Sequence, residues 1–315
     1  MAALDFADGR TPCAATLFLI FRTLDIAAYE SALGRWAEGI LQGCGDTIRA
    51  IDGKTLRGSK KQGASGTHLL SVVSQALGLT VQQEAVNDKT NEIGAMLSLV
   101  RGLVLDGRIF TMDALLTQRE IAAQIVAGNG DYVQVAKDNQ LRLKQDIEAV
   151  LASPPSVGAP LRTAATCAQR HGRREQRPIT VRDLHPGDSD WPGAAQVFRL
   201  ERDIIRLKTG EIRHEAICGV TSCPRARASA RRLLTITRRH WVIENRSHYV
   251  RDVTFDEDRS QVRTGAIPQS LAALRNTAIA LMRLAHVDNI AAACRRHAAQ
   301  PAEALALMGV VVRTK

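Results

Sequence analysis

Long apolar runs are scarce in this chain of 315 residues. The longest near the start, CAATLFLIF at 13–21, is less than half of the roughly 20 residues that a bilayer-crossing helix requires. It has no basic flank before it and no small-residue cleavage site after it, so it does not read as an export signal. The expectation is a cytoplasmic chain with no membrane partner. Paired cysteines are missing too. The six cysteines are Cys13, Cys44, Cys167, Cys218, Cys223 and Cys294, and none is spaced as CxxC. Cys218 and Cys223 share the run CGVTSC without a second pair at metal-ligand spacing, which argues against a structural zinc site and for reduced thiols. No internal repeat or low-complexity tract is visible. Lysine is sparse, confined to Lys54, Lys60, Lys61, Lys89, Lys137, Lys144, Lys208 and Lys315.

The basic charge is therefore mostly arginine. The formal net charge is +10 and the pI about 9.7. Guanidinium groups contact phosphates in bidentate fashion, and a domain this basic suits nucleic acid as a partner. Genome base composition accounts for part of the Arg and Ala richness. It does not account for the clustering of arginine within 225–251.

With 45% hydrophobic residues, the chain can bury one large core or two moderate ones. Residues 1–46 read as helical, from apolar spacing in ATLFLIFRTLDIAAYESALGRWAEGIL. From 47 the pattern becomes β, β-hairpin, α, β, α, β, α and runs to 153, with the hairpin joined at Leu77-Gly78. Such alternation implies an α/β sheet flanked by helices. Residues 154–224 read as a β-rich insertion, with strand-like RPITVRDL, QVFRLERDIIRLK and EIRHEAICGV and a turn at Lys208-Thr209-Gly210. Residues 225–285 read as basic and helical, ending in the amphipathic SLAALRNTAIALMRLA. Residues 286–315 form a weaker helical tail.

Three carboxylates stand out. Asp52 ends the first strand, Asp113 ends a later one, and ligands gather at the carboxyl ends of strands in such sheets. Glu244 lies in HWVIENRSHYVRDVTFDED at 240–258. Read as one α-helix, this run places His240, Glu244, His248 and Asp252 on one face. His240 and His248 would then lie about 12 Å apart along the axis and could not share an ion. In-line displacement at phosphorus develops charge on both attacking and leaving oxygens, which two Mg²⁺ ions stabilise together. Mg²⁺ takes a few carboxylates, water and phosphate oxygens, and three carboxylates from separate elements provide that. Each has a plainer reading: Asp52 as a turn residue before Gly53, Asp113 as a helix N-cap, Glu244 as a solvated partner of arginine. Asp252, Glu257 or Asp258 is an alternative third ligand.

AIDGKTLRGS (50–59), KTNEI (89–93), TMDALLTQREIA (111–122), DYVQVAKDNQ (131–140), HGRREQRPI (171–179) and HWVIENRSHYVRDVTFDEDRSQVR (240–263) resemble, in order, the motif series of the H-repeat-associated DDE transposases of bacterial insertion sequences. The resemblance covers roughly 45–285. It implies an RNase H-like fold with a β-rich insertion before the last catalytic helix. It also implies Asp52, Asp113 and Glu244 as catalytic, metal-binding residues, with Mg²⁺ as cofactor and Mn²⁺ as substitute. The implied partner is double-stranded DNA, at element ends and target, with a homodimer in the synaptic complex. Relatives carry a longer N-terminal helical region, so a truncated copy is one expectation. The Tyr-Arg-Glu-Lys signature of related transposases is replaced here by Thr237, His240, Glu244 and Arg251.

The DNA-contacting candidates are Lys54, Arg57, Lys137, Arg239, His240, Trp241, Arg246, His248 and Arg251. Lys137 reads equally as part of a solvated loop, and Trp241 reads more readily as a core indole than as a stacking platform. His240 and His248 are candidates for positioning Glu244. Glu92 reads as a capping-box residue. The two other functional readings are a non-mobile DNA-binding remnant, and a nuclease that hydrolyses DNA without joining it.

Overall fold

The computed structural model describes residues 12–60, 66–86, 92–154 and 158–310. Lys61 of the basic loop, the first three residues of KTNEI, Pro155 and both chain ends lie outside the described residues. The chain divides into two compact units that interleave in sequence. One comprises 1–46, 53–91 and 242–315; the other comprises 47–52 and 92–241.

The second unit holds most of the sheet. Its strands are the first part of β1 (Ile48–Thr55), then β4 (Ile109–Met112), β5 (Asp131–Ala136), β6 (Arg162–Arg170), β7 (Arg173–Asp183), β8 (Gln196–Arg206) and β9 (Ile212–Thr221). Their order across the sheet is β1-β4-β5-β9-β8-β7-β6. The first three run parallel and the rest join antiparallel, giving a mixed sheet. Helix α6 (Ala230–Arg239) covers one face: its Leu233, Leu234 and Ile236 pack with Ile109, Val133, Ile179, Val181 and Phe198. Helix α5 (Leu141–Ala152) lies on the other, against β5, β7, β8 and β9. Alternation along β7 explains the division. Val181 joins the α6 cluster, whereas Arg182 turns to α5 and donates to the carbonyls of Val150 (2.6 Å) and Ser153 (2.7 Å) at its end. Helix α3 (Glu92–Arg101) packs on α4 (Arg119–Ala127), which packs on β5. Glu92 is the first residue of α3, in its acidic first turn.

This is the expected RNase H-like α/β architecture, a mixed sheet flanked by helices with a β-rich insertion. Strand β6 adds to what periodicity indicates. Its small residues, RTAATCAQR, carry little β-branched signal, and it needs one neighbour only because it is the edge of the sheet order. The β6–β7 turn uses His171 and Gly172 at φ 48° and 71°, as a tight hairpin requires.

In the first unit, β2 (His68–Ser74) and β3 (Thr80–Val86) form an antiparallel hairpin, with Gly78 at φ 70° in the turn. β2 is continuous with the end of β1 through Leu56 N–H donating to Thr67 O at 2.8 Å. Helices α2 (Ile26–Gly43) and α7 (Ile267–Leu284) pack on β3. Helices α8 (Ile290–Ala299) and α9 (Pro301–Leu307) follow, and Ile279, Met282 and Ile290 form a small core there. Helix α1 (Ala14–Thr23) precedes them and buries none of its residues. Among the described residues no helix is long and apolar enough to cross a membrane.

The segment after α6 departs from expectation. The single α-helix expected over 240–252 does not form. α6 ends at Arg239, residues 240 and 241 are a turn, and Glu244–His248 and Val250–Thr254 are π-helical. Hydrogen bonds from i to i+5 widen the turn, as where Tyr249 N–H donates to Glu244 O. Residues four apart therefore drift around this helix and no longer form one continuous stripe.

Candidate active site

Asp52 and Asp113 are brought together by backbone pairing. β1 and β4 run parallel with Ile51 opposite Met112. One residue further on, Asp52 and Asp113 fall in phase on neighbouring strands spaced about 4.8 Å apart; Asp113 directly follows β4, whereas β1 continues through Asp52 to Thr55 and does not end at that aspartate as expected. Both are half-buried. The apolar residues before them, Ile51 and Met112, are fully buried, so the strands cannot slip without exposing core.

The loop after Asp113 is braced on several sides. Asp113 Oδ1 accepts from the N–H groups of Leu115 (3.1 Å) and Leu116 (3.3 Å). This resembles a cap, yet α4 begins only at Arg119, so Asp113 closes a local turn and is not the cap of that helix. Thr117 Oγ1 lies 3.0 Å from Asp113 O and 2.8 Å from Val135 O, tying the loop to β5. Asn139 Nδ2 donates to Ala114 O (2.6 Å) and Gln140 Nε2 to Thr117 O (3.0 Å). These two amides follow β5 and hold the loop that carries Asp113. Sequence reasoning singled out Lys137 in the same run and passed over them; their side-chain amides at a strand end were the available signal. Lys137 itself is exposed.

His240 stands at the end of α6. Its Nδ1 is 2.9 Å from Thr111 Oγ1, which is in turn 3.2 Å from Arg49 O. The helix end is thus fixed to β4 two residues before Asp113.

In the first unit, Glu244 opens the π-helical stretch and is about half exposed, with a carboxylate oxygen 3.7 Å from Nδ1 of buried His248. Burial holds His248 below the usual histidine range. The Glu244 carboxylate pulls the other way, and the Arg251 and Lys54 charges add to the lowering. A neutral imidazole at this position can orient the carboxylate.

Three expected DNA contacts are corrected. Arg251 has 0% exposure. It is bonded through Nε to Glu257 Oε2 at 2.8 Å, and Arg275 Nη1 reaches the other oxygen of Glu257 at 3.1 Å. Lys54 is 8% exposed and pairs with Asp252 (2.6 Å) and Asp258 (3.5 Å). His248 is buried. A side chain so enclosed presents no charge to a phosphate. The same pairs occupy Asp252, Glu257 and Asp258, the alternative third ligands. Trp241 is corrected in the opposite sense: at 62% exposure it is not a core indole. Arg57, Arg239 and Arg246 are exposed, although Arg57 also approaches Asp258 at 3.5 Å and Arg246 Nη1 donates to Ala76 O at 3.3 Å.

Neighbouring aspartates on β1 and β4 of a mixed sheet are the arrangement that the resemblance to DDE-type enzymes implies. Residues 43–281 match the family described as Transposase DDE domain, and the chain belongs to that family. It is 29% identical over 294 residues to the protein named "Putative transposase YncI" of Escherichia coli O157:H7, covering 89% of this chain and 72% of that one. It is 28% identical over 286 residues to "H repeat-associated putative transposase YhhI" of Escherichia coli K12, covering 88% of this chain and 75% of that one. Among solved structures, a piggyBac transposase synaptic complex with hairpin DNA aligns with a TM-score of 0.43 and 10% identity, over 76% of this chain and 47% of that one.

Proposed function

We propose that the protein is a DNA transposase that cuts phosphodiester bonds at element ends and joins the freed 3′-OH to target DNA, with Asp52, Asp113 and Glu244 as its catalytic carboxylates. The observation that carries this is the in-phase placement of Asp52 and Asp113 beyond the Ile51–Met112 pair. The donors fit hard divalent cations, since carboxylate oxygens suit Mg²⁺ or Mn²⁺ and leave room for water and phosphate. When bound, two such ions stabilise the attacking and the leaving oxygen of an in-line displacement.

The chain's residues supply position and charge. The turn N–H groups at Leu115 and Leu116 fix the Asp113 carboxylate. His240 ties the end of α6 to β4, and Glu244 follows four residues later in the sequence. His248 orients Glu244. Arg57, Lys137, Arg239 and Arg246 neutralise phosphates, and exposed Trp241 offers a stacking surface for a base. Hydrolysis breaks the P–O3′ bond at the element end and leaves a 3′-OH and a 5′-phosphate. That 3′-OH then attacks a target phosphodiester and displaces a target 3′-OH, so no covalent enzyme intermediate is required.

Asp113→Asn is expected to lower Mg²⁺- or Mn²⁺-dependent cleavage of element-end DNA by at least about 100-fold, in line with losing a group that acts in the transition state. Cleavage equal to the parent's would remove Asp113 from the site. Hydrolysed but never joined DNA in the product analysis would favour a nuclease.

A further inference from the structure

The β-rich insertion carries a charged surface that the Asp52–Asp113 pair does not explain. Helix α6 covers only the inner half of its sheet face, where Ile179, Val181, Phe198 and Leu200 pack beneath it. Strand residues two apart share a face, so the same face continues outward through Arg177 on β7, Arg202 on β8, and Arg213 and Glu215 on β9. The register agrees: Leu200 lies opposite Ile217, Arg202 opposite Glu215, and Ile204 opposite Arg213. Beyond the helix the face carries guanidinium groups, with Ile204 among them.

These charges do not balance. Glu175 takes Arg177 at 2.6 Å and also bonds Arg202 Nε. Glu215 takes Arg213 at 2.7 Å and Arg202 Nη1 at 3.4 Å. Arg238, on the last turn of α6, reaches over the same face to Thr166 Oγ1 at 3.4 Å. Three guanidinium groups thus share two carboxylates, and Arg238 adds a fourth positive charge beside them. Burial, and after it the charges of Arg238 and Arg202, press the Arg177 guanidinium below its ordinary range even with Glu175 beside it. Arg213 and Arg238 are exposed and Arg202 is half-buried.

We infer that this uncovered half of the insertion sheet is a docking surface for the phosphate backbone of duplex DNA, distinct from the Asp52–Asp113 pair. The inference rests on the reading of the protein as a DNA-processing enzyme and adds a second place of contact. Duplex DNA carries one charge per roughly 1.7 Å of axis. Two strand spacings, roughly 10 Å, therefore face several phosphates. Adjacent antiparallel strands present a broad surface of guanidinium groups, which contact phosphates and suit binding without sequence preference.

The test is fluorescence anisotropy of the full chain with a labelled duplex of about 30 base pairs, across a range of NaCl concentrations. Arg202→Gln with Arg238→Gln is expected to weaken binding at least tenfold at low salt and to reduce the slope of log Kd against log salt by roughly 2, near 0.9 for each phosphate contact removed. Arg202→Lys with Arg238→Lys keeps the charges and is expected to restore the slope, which separates charge loss from misfolding. An unchanged slope and affinity in the glutamine variant overturns the inference. So does equal displacement of the duplex by polyglutamate or by double-stranded RNA of the same length. The two proposals fail separately: Asp113→Asn is expected to abolish cleavage with the salt slope intact, whereas the glutamine variant changes the slope whether or not the parent cleaves.

Discussion

Glu30 illustrates how far one side chain can leave its solution behaviour. On α2, its two carboxylate oxygens accept from Gln83 Nε2 (2.9 Å) and Gln269 Nε2 (2.8 Å). Burial nevertheless pushes its pKa up to about 7, against the lowering effect of both amides. A folded-state pKa above the unfolded value means the native state holds the extra proton, so stability falls as pH rises. The contribution is fully present below about 4.5 and lost as pH passes about 7. The shift corresponds to at most about 3 kcal/mol. Urea midpoints measured from pH 4.5 to 7.5 should decline for the parent and stay flatter for Glu30→Gln. Parallel profiles would show that Glu30 does not carry the effect. The Arg251–Glu257–Arg275 group teaches a related lesson. Nothing local distinguishes Arg251 from its exposed neighbour Arg246. Its Gln83 contact, 3.5 Å away in space, is 168 residues away in sequence, and only the folded chain shows which arginine is enclosed. Asp113 was legible because a strand ending in aspartate is a local pattern; Asp52 was singled out by the same pattern although its strand continues to Thr55.

Elements were more legible than side chains. The βα alternation over 47–153 shows in periodicity because each element buries one face and signals it every second or every third to fourth residue. The π-helical winding after Trp241 left no such mark, since its sequence suits an α-helix equally well. The close approach at Gly219 is also silent in sequence. A Cβ added there would meet Phe198 Cζ at 2.2 Å and the Gln134 carbonyl oxygen at 2.6 Å. The phenyl ring lies across β9 where a larger residue would stand, and the backbone of β5 closes the other side. Gly219→Ala should therefore cost about 1–3 kcal/mol by overpacking, read as a lower urea midpoint with an unchanged m-value. A loss below about 0.5 kcal/mol would mean that β5 and β9 separate more easily than their pairing implies.

For the whole molecule, sequence order is a poor guide to what folds with what. The second compact unit takes its edge strand from 47–52 and the rest of its chain from 92–241. Residues 92–241 expressed alone would leave the fully buried β4 without one of its two parallel neighbours. That fragment should unfold without cooperativity by circular dichroism, whereas 47–241 should show a sigmoidal melt. A cooperative transition in the shorter fragment would show β1 to be dispensable for this unit. Length and apolar content allowed for one core or two, but the return of the chain from one unit to the other depends on contacts too distant for any local pattern to announce.

The phase of Asp52 and Asp113 has a genetic consequence. Substitutions can accumulate along β1 and β4 while the aspartates keep their places, provided the inward positions stay apolar. A single-codon insertion or deletion inside either strand shifts one carboxylate by about 3.3 Å and turns it to the opposite face. On the catalytic role proposed for the two aspartates, two copies of such a gene with the same overall identity can therefore differ completely in competence. Counting residues from Ile48 to Asp52 and from Ile109 to Asp113 is then expected to tell a live copy from a dead one sooner than any percentage does.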